Sequence, residues 1–372
     1  MDIIKSFENL NPYEYVASIK KATGKSVLAY MCSYTPEEVI YAAGIHPFRI
    51  FGMVDAIAKA DAYLQVYSCS LVRGALEDAL SGKLSFVDGA VFPHTCDSIQ
   101  RLSDVWRLNA GMKHHFDVVW AVKLNTDSAK KYMYDVLAKF VKELQDAFGI
   151  TITNEKLEKA ISTYNEIRSL LKTIWQLKSD NKSTLNGSQM NALIKAAMVW
   201  DRDELAGMLK NLIPSIELSP ELSPKNEKAK RIMLIGGICN HPDIYTYIED
   251  SGGVVVWDDL CTGSRYFEGQ IATDSNPLQA IANRYYERNI CPAKHRDLNT
   301  RVETITSMIR EHNVQGAIFL YLKFCDPHSF DYPYIKEALD TMGIPSTLLE
   351  LELQLPSEGQ MKTRLEAFID MI

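Results

Sequence analysis

The chain contains seven cysteines, yet none of them is spaced C-x-x-C. That absence removes the paired-ligand zinc patterns and the dithiol redox motif. No G-x-G-x-x-G and no G-x-x-x-x-G-K-[ST] occurs, so the chain lacks a dinucleotide fingerprint and a P-loop. If ATP drives its chemistry, another chain must bind the nucleotide. No apolar run reaches the roughly 18 residues that a membrane-spanning helix needs. The stretch Met1 to Glu8 has no basic segment followed by an apolar one, so no signal peptide is expected and a cytoplasmic location is. Positive charge is not in excess either. Forty Lys and Arg against 47 Asp and Glu give a net charge of −7, which points away from nucleic acid and anionic membranes as partners.

What is present is an ordinary globular composition, 47% hydrophobic and 23% charged, over 372 residues. Such a length allows two or three domains of about 100–200 residues each. Apolar residues at three- and four-residue steps predict helix in the first 24 residues. Ser26 to Cys32 reads as a buried strand. Pro36 then opens a helix, with Thr35 as N-cap and Glu37 and Glu38 complementing its dipole. Further strands are expected at Pro47–Gly52, Tyr63–Cys69, Phe86–Phe92 and Phe116–Val122. From about Asp127 the helical period dominates, over Lys130–Ala147, Asn154–Gln176 and Ser188–Leu209, with a short strand at Ile150–Ile152. Pro214, Pro220 and Pro224 among Ser and Glu residues read as a linker. Strands at Arg231–Cys239, Gly253–Cys261, Ala317–Cys325 and Ser346–Leu351 then alternate with helices. The expected fold is α/β, two Rossmann-like parallel-sheet domains with a helical middle segment. The boundaries are 1–126 for the first α/β domain, 127–213 for the helices, 214–229 for the linker and 230–372 for the second α/β domain.

Cys32, Cys69 and Cys96 in the first half, and Cys239, Cys261 and Cys325 in the second, fall at or just past expected strand ends. In open α/β sheets that edge is where ligands bind. Cys69, Cys96 and Cys325 are placed to meet in one crevice. Three thiolates on a [4Fe–4S] cluster would leave one iron open to a non-protein ligand. The residues alone equally allow each cysteine to be a small buried hydrophobe, and they leave open a Cys96 nucleophile served by His94. Cys261 to Arg265 reads as an anion-binding turn clamped by Arg265, or as an ordinary turn. Asp326 and His328 either tune a cluster beside Cys325 or cap the next helix.

Four segments carry a likeness that runs in order across nearly the whole chain. They are Tyr34 to Gly44, Phe86 to Ser98 with Pro93-His94-Thr95-Cys96-Asp97, Asp258 to Arg265, and Phe324-Cys325-Asp326-Pro327-His328. On them the chain resembles subunits of the 2-hydroxyacyl-CoA dehydratase and benzoyl-CoA reductase family. The resemblance implies two Rossmann-type domains with extra helices and one [4Fe–4S] cluster on three cysteines, here Cys69, Cys96 and Cys325. It implies a related larger subunit as partner in a heterodimer, or a second copy in a homodimer. It also implies a transient iron–sulfur ATPase that injects one low-potential electron, and an acyl-CoA substrate. The length suits the smaller, beta-type subunit. The implied reaction is radical elimination of water from an (R)-2-hydroxyacyl-CoA to an enoyl-CoA, the added electron turning the thioester carbonyl into a ketyl that expels the 2-hydroxyl. Two alternatives sit inside the same resemblance. One is a subunit of an ATP-dependent benzoyl-CoA-type or small-molecule reductase. The other is a stand-alone protein with paired cubane clusters, or an electron relay, for which Cys32, Cys239, Cys261 and Cys291 leave room. No motif marks a catalytic base, and Glu37 and Glu38 are read as helix-capping residues.

Overall fold

The computed structural model describes residues 2–54, 56–218, 229–288, 291–294 and 296–372. The first sheet contains β1 (Val27–Tyr30), β2 (His46–Arg49), β3 (Gly89–Phe92) and β4 (His114–Asp117). The second contains β5 (Lys230–Gly236), β6 (Gly253–Asp259), β7 (Gly316–Leu322) and β8 (Ser346–Leu351). All pairings are parallel. The strand orders are β2-β1-β3-β4 and β6-β5-β7-β8, so the two sheets share one topology. In each, the winding reverses between the two central strands, at β1/β3 and β5/β7. Such a switch point leaves a crevice beyond the strands' carboxyl ends. The central strands β1, β3 and β7 are buried along their whole length, and β5 is buried from Ile232 onward. Parallel strands covered on both faces require that apolar run.

Helices Asp127–Phe148, Asn154–Ser179, Gly187–Ala197 and Arg202–Ile216 form the middle of the chain. Thr126 accepts from the Ala129 N–H at the start of the first, and Gly149 ends it in the left-handed conformation. Asn186 and Gln189 form a capping box on the third. The helix Asn154–Ser179 touches both halves. Trp175 Nε1 donates to Val256 O of β6 at 3.2 Å, and Arg168 pairs with Glu38 just past the first sheet's opening strand. One continuous buried apolar cluster takes in β-strand residues of both sheets.

Several expectations need correction. Tyr63–Cys69 is not a strand: a short 3-10 turn at Ala60–Ala62 leads into a loop, where Val66 and Tyr67 are exposed and have no sheet edge to pair with. Ile150–Ile152 is not a strand, and β4 lies earlier and is shorter than Phe116–Val122. Ser188–Leu209 is broken into two helices, with Asp201 capping the second. Thr35 does not cap its helix; Pro36 stands at the N-cap without a side-chain bond. Pro214 lies inside the helix Arg202–Ile216, and positions 219–228 of the expected linker lie outside the described residues.

Candidate functional site

Six of the seven cysteines line one cavity: Cys32, Cys69, Cys96, Cys261, Cys291 and Cys325. Its volume is about 90 Å³, and it opens to solvent. Cys32 follows β1, Cys96 follows β3, Cys261 follows β6 and Cys325 follows β7. The crevices of both sheets therefore open onto the same space. Met31, Leu71, Val72, Ile99, Ile238 and Leu322 supply apolar walls.

Cys69, Cys96 and Cys325 share one local design. Each is the N-cap residue of a helix, respectively Ser70–Leu80, Asp97–Asn109 and Asp326–Thr341. A helix N-terminus presents unpaired N–H groups and a partial positive charge, which favours a thiolate. Burial pushes all three thiols up, Cys96 to about 12, and neighbouring sulfurs add to the rise for Cys96 and Cys325. First-turn amides oppose it: Leu71 and Val72 at Cys69, Ile99 at Cys96, His328 at Cys325. Two of the loops that deliver them hold a non-glycine residue at positive φ, His94 at 24° and Phe324 at 65°. Strain of this kind collects at functional sites.

Cys32, Cys261 and Cys291 form the second trio. Thr95 Oγ1 donates to Cys32 Sγ at 3.4 Å, and Arg265 Nη1 donates to Cys261 Sγ at 3.6 Å. Burial pushes Cys291 up to about 11, the Arg265 guanidinium pulls it down, and the Cys261 and Cys32 sulfurs push it up again. Lys294 stands beside this trio, donating to His94 O at 3.2 Å and Trp120 O at 3.0 Å. Burial brings its ammonium down to about 8, against the pull of Cys291, Cys32 and Cys96.

A buried polar chain braces the two trios. Arg265 Nη1 donates to His328 Nε2 at 3.2 Å. Arginine only donates, so the imidazole proton sits on Nδ1, which faces Cys325 Sγ at 3.1 Å and donates to it. Burial and the Arg265 charge bring His328 down to about 3, so the ring is neutral. Arg265 in turn donates to Asp259 through Nε at 2.8 Å and Nη2 at 2.5 Å. Arg301 pairs with the same carboxylate and donates through Nε to Asp331 at 2.9 Å. Arg265 is thus a tether between Asp259 and both trios rather than a free anion clamp.

The structure brings the three expected ligands Cys69, Cys96 and Cys325 to one cavity and adds three more. Cys239 stays apart, in the core, where burial raises it to about 11. The strand-end position of Cys32 and Cys261 is a sequence signal; Cys291 has none, because no strand is expected before it. His94 does not serve Cys96: its Nε2 bonds Asp117 Oδ1 at 2.7 Å, and the raised Cys96 thiol is the opposite of an activated nucleophile. Glu37 and Glu38 are not caps but buried partners of Arg202 and Arg168. Among the described residues no group of three or more His, Cys, Asp or Glu is arranged to hold a single metal ion, and no helix is long and apolar enough to cross a membrane.

The chain is similar to the (R)-phenyllactyl-CoA dehydratase beta subunit of Clostridium sporogenes, 27% identical over 362 residues, covering 97% of this chain and 96% of that protein. It is similar to the beta subunit of the (R)-2-hydroxyglutaryl-CoA dehydratase of Acidaminococcus fermentans, 27% identical over 361 residues, covering 95% and 94%. A benzoyl-CoA reductase subunit of Thauera aromatica is 28% identical over 329 residues, covering 86% and 84%. The family model described as 2-hydroxyglutaryl-CoA dehydratase, D-component, matches residues 32–372. That match takes in all seven cysteines and both sheets' central crevices, and the chain belongs to this dehydratase D-component family, among its beta-type subunits.

Proposed function

We propose that this chain is an iron–sulfur redox protein whose six-cysteine cavity holds two cubane-type clusters, each on three thiolates. In this reading it takes low-potential electrons from a separate iron–sulfur ATPase and reduces a small substrate at the cavity. The observation that carries it is the convergence of six thiols, twice what one three-cysteine cluster uses. A single zinc ion draws its sulfurs to about 2.3 Å from one point. These thiols instead surround a space, which suits a polynuclear group. Bound there, clusters of this type supply low-potential electrons and open iron positions.

The chain's own residues have defined parts in this reading. The cysteines lose their protons on metal binding, which relieves the burial cost that raises the thiols of the metal-free chain. Helix N-termini at Cys69, Cys96 and Cys325 stabilise the thiolates. His328 Nδ1–H and Arg265 Nη1–H withdraw charge from Cys325 and Cys261. The apolar walls keep water from a reduced centre.

A second reading, favoured by the relatives that are named dehydratase beta subunits, keeps one [4Fe–4S] cluster on Cys69, Cys96 and Cys325. The chain is then the beta-type half of a 2-hydroxyacyl-CoA dehydratase, paired with a related larger subunit. Anaerobic purification with iron and sulfide counting separates the two. Paired clusters give about eight iron per chain, with Cys96→Ala and Cys261→Ala each losing about half. A single cluster gives about four, lost in Cys96→Ala and kept in Cys261→Ala. No iron in strictly anaerobic protein would overturn both readings.

A further inference from the structure

Arg49 is the last residue of β2 and is 1% exposed. It lines the six-cysteine cavity. Its guanidinium lies over the Tyr30 ring, 5.5 Å from the centroid, and its Nε and Nη1 have no hydrogen-bond partner. The Tyr30 hydroxyl is also unpartnered. No carboxylate pairs with Arg49 among the described residues, whereas Arg168, Arg202, Arg265 and Arg301 each have one. Burying a guanidinium with no counter-charge is strongly unfavourable, and a ring face replaces only part of the lost solvation. The protein wall around Arg49 does not supply the missing acceptor. The cavity does border it.

We propose that Arg49 donates through Nε and Nη1 to an anionic group held inside the six-cysteine cavity. This rests on the reading of that cavity as a cofactor site. The ligand chemistry is a small, soft anion with lone pairs facing the β2 end of the cavity. Two sources share it: an inorganic sulfide of the cofactor, or a small anionic substrate bound beside the cofactor. Arg49 is then the positioning residue of the cavity, and it differs from Arg265, whose charge Asp259 already neutralises.

The test uses the full chain, anaerobically loaded, as wild type, Arg49→Met and Arg49→Lys. Iron and sulfide are counted first, then the midpoint potential is titrated by EPR with and without thiocyanate as the anion probe. If the acceptor is a sulfide, Arg49→Met shifts the couple to lower potential by a factor of ten or more in the reduced-to-oxidised ratio, about 59 mV for one electron. Arg49→Lys, which keeps the charge but loses the fork, falls between. If the acceptor is a substrate anion, the potential without thiocyanate is unchanged, and thiocyanate alters the wild-type spectrum at concentrations at least tenfold below those Arg49→Met needs. Equal potentials and equal thiocyanate responses in all three proteins overturn the assignment. Should Arg49→Met fail to fold, Arg49→Lys alone carries the comparison in the same two readouts. A wild type without iron defeats the cofactor reading separately. Calorimetry of thiocyanate on the metal-free chain then decides for Arg49: binding that Arg49→Met loses supports the site, and no binding to the wild type overturns it.

Discussion

Asp259→Asn is the perturbation that most directly tests how the polar chain supports the cavity. The Asp259 carboxylate is fully buried and neutralises two arginines, accepting from Arg265 Nε at 2.8 Å and Nη2 at 2.5 Å and from Arg301. Burial alone would raise this carboxyl; Arg265 and Arg301 overcome it and hold the carboxyl well below the usual range. Asparagine keeps the shape but removes the charge, and its amide N–H₂ faces a guanidinium that can only donate. Breaking a buried pair from one side costs about 3–5 kcal/mol. With an unfolding entropy of about 2.1 cal/mol/K per residue, that loss lowers the melting temperature of the metal-free chain by about 4–6 °C if the chain melts as one unit. Calorimetry and circular dichroism of reduced, metal-free protein measure the shift. Adding Arg265→Met removes the cation that Asp259→Asn leaves without a counter-charge, Arg301 keeping Asp331, so the double variant recovers part of the loss, with a coupling of about 1–3 kcal/mol. Released from Asp259 in the single variant, Arg265 also loses its aim at His328 and Cys261, and on the proposed cluster reading bound iron falls with stability. A melting shift under about 1 °C, with strictly additive double-variant effects, would refute the view that Asp259 anchors this network.

Other consequences follow from named contacts. On the proposed cluster reading, His328→Phe removes the N–H that donates to Cys325 Sγ, so the loaded protein's midpoint potential falls while the iron content holds; an unchanged potential in an EPR titration counts against that hydrogen bond. Gly263→Ala places a methyl 2.1 Å from Asp258 Oδ1, a contact no side chain tolerates, and the turn that carries Cys261 must move. We expect a stability loss of about 1–3 kcal/mol in urea titrations and, on the proposed cluster reading, fewer bound iron atoms. His46 is buried, with Nε2 at 2.9 Å from Val199 O, and burial, aided by Arg202, lowers it to about 4. Its neutral form is favoured in the folded chain, so the unfolded chain binds more protons below its ordinary pKa of about 6.5. Stability from His46 is therefore complete above about pH 6.5 and is lost as pH falls toward 4, by up to about 3 kcal/mol. His46→Gln flattens that part of the stability profile, and an unaltered profile would show that burial of the ring is not the cause.

Much of the fold was legible because strand and helix periods are local. The strand Ser346–Leu351 and the apolar runs of β5, β6 and β7 announce themselves within a few residues of their observed limits. Tyr63–Cys69 misled because its apolar and aromatic run reads locally as a strand, whereas the folded segment pairs with neither sheet and leaves Val66 and Tyr67 exposed. Glu37 and Glu38 do lie in the first helical turn, where carboxylates suit the dipole, but that local position hides their long-range partners. Arg202 and Arg168, far along the chain, claim them instead.

The sequence by itself determined the two parallel sheets, the helical middle and the placing of most cysteines where strands end. Those features depend on residue spacing and on turn chemistry close by. Only the tertiary structure decided that six sulfurs share one space, because the winding reversals of two separate sheets must face each other for that to happen. It also decided that Cys291 joins the other five, that Cys239 does not, and that Arg49 arrives with no carboxylate partner among the described residues. Long-range convergence of this kind has no period and no spacing; it follows from how the packed layers bring distant chain ends together.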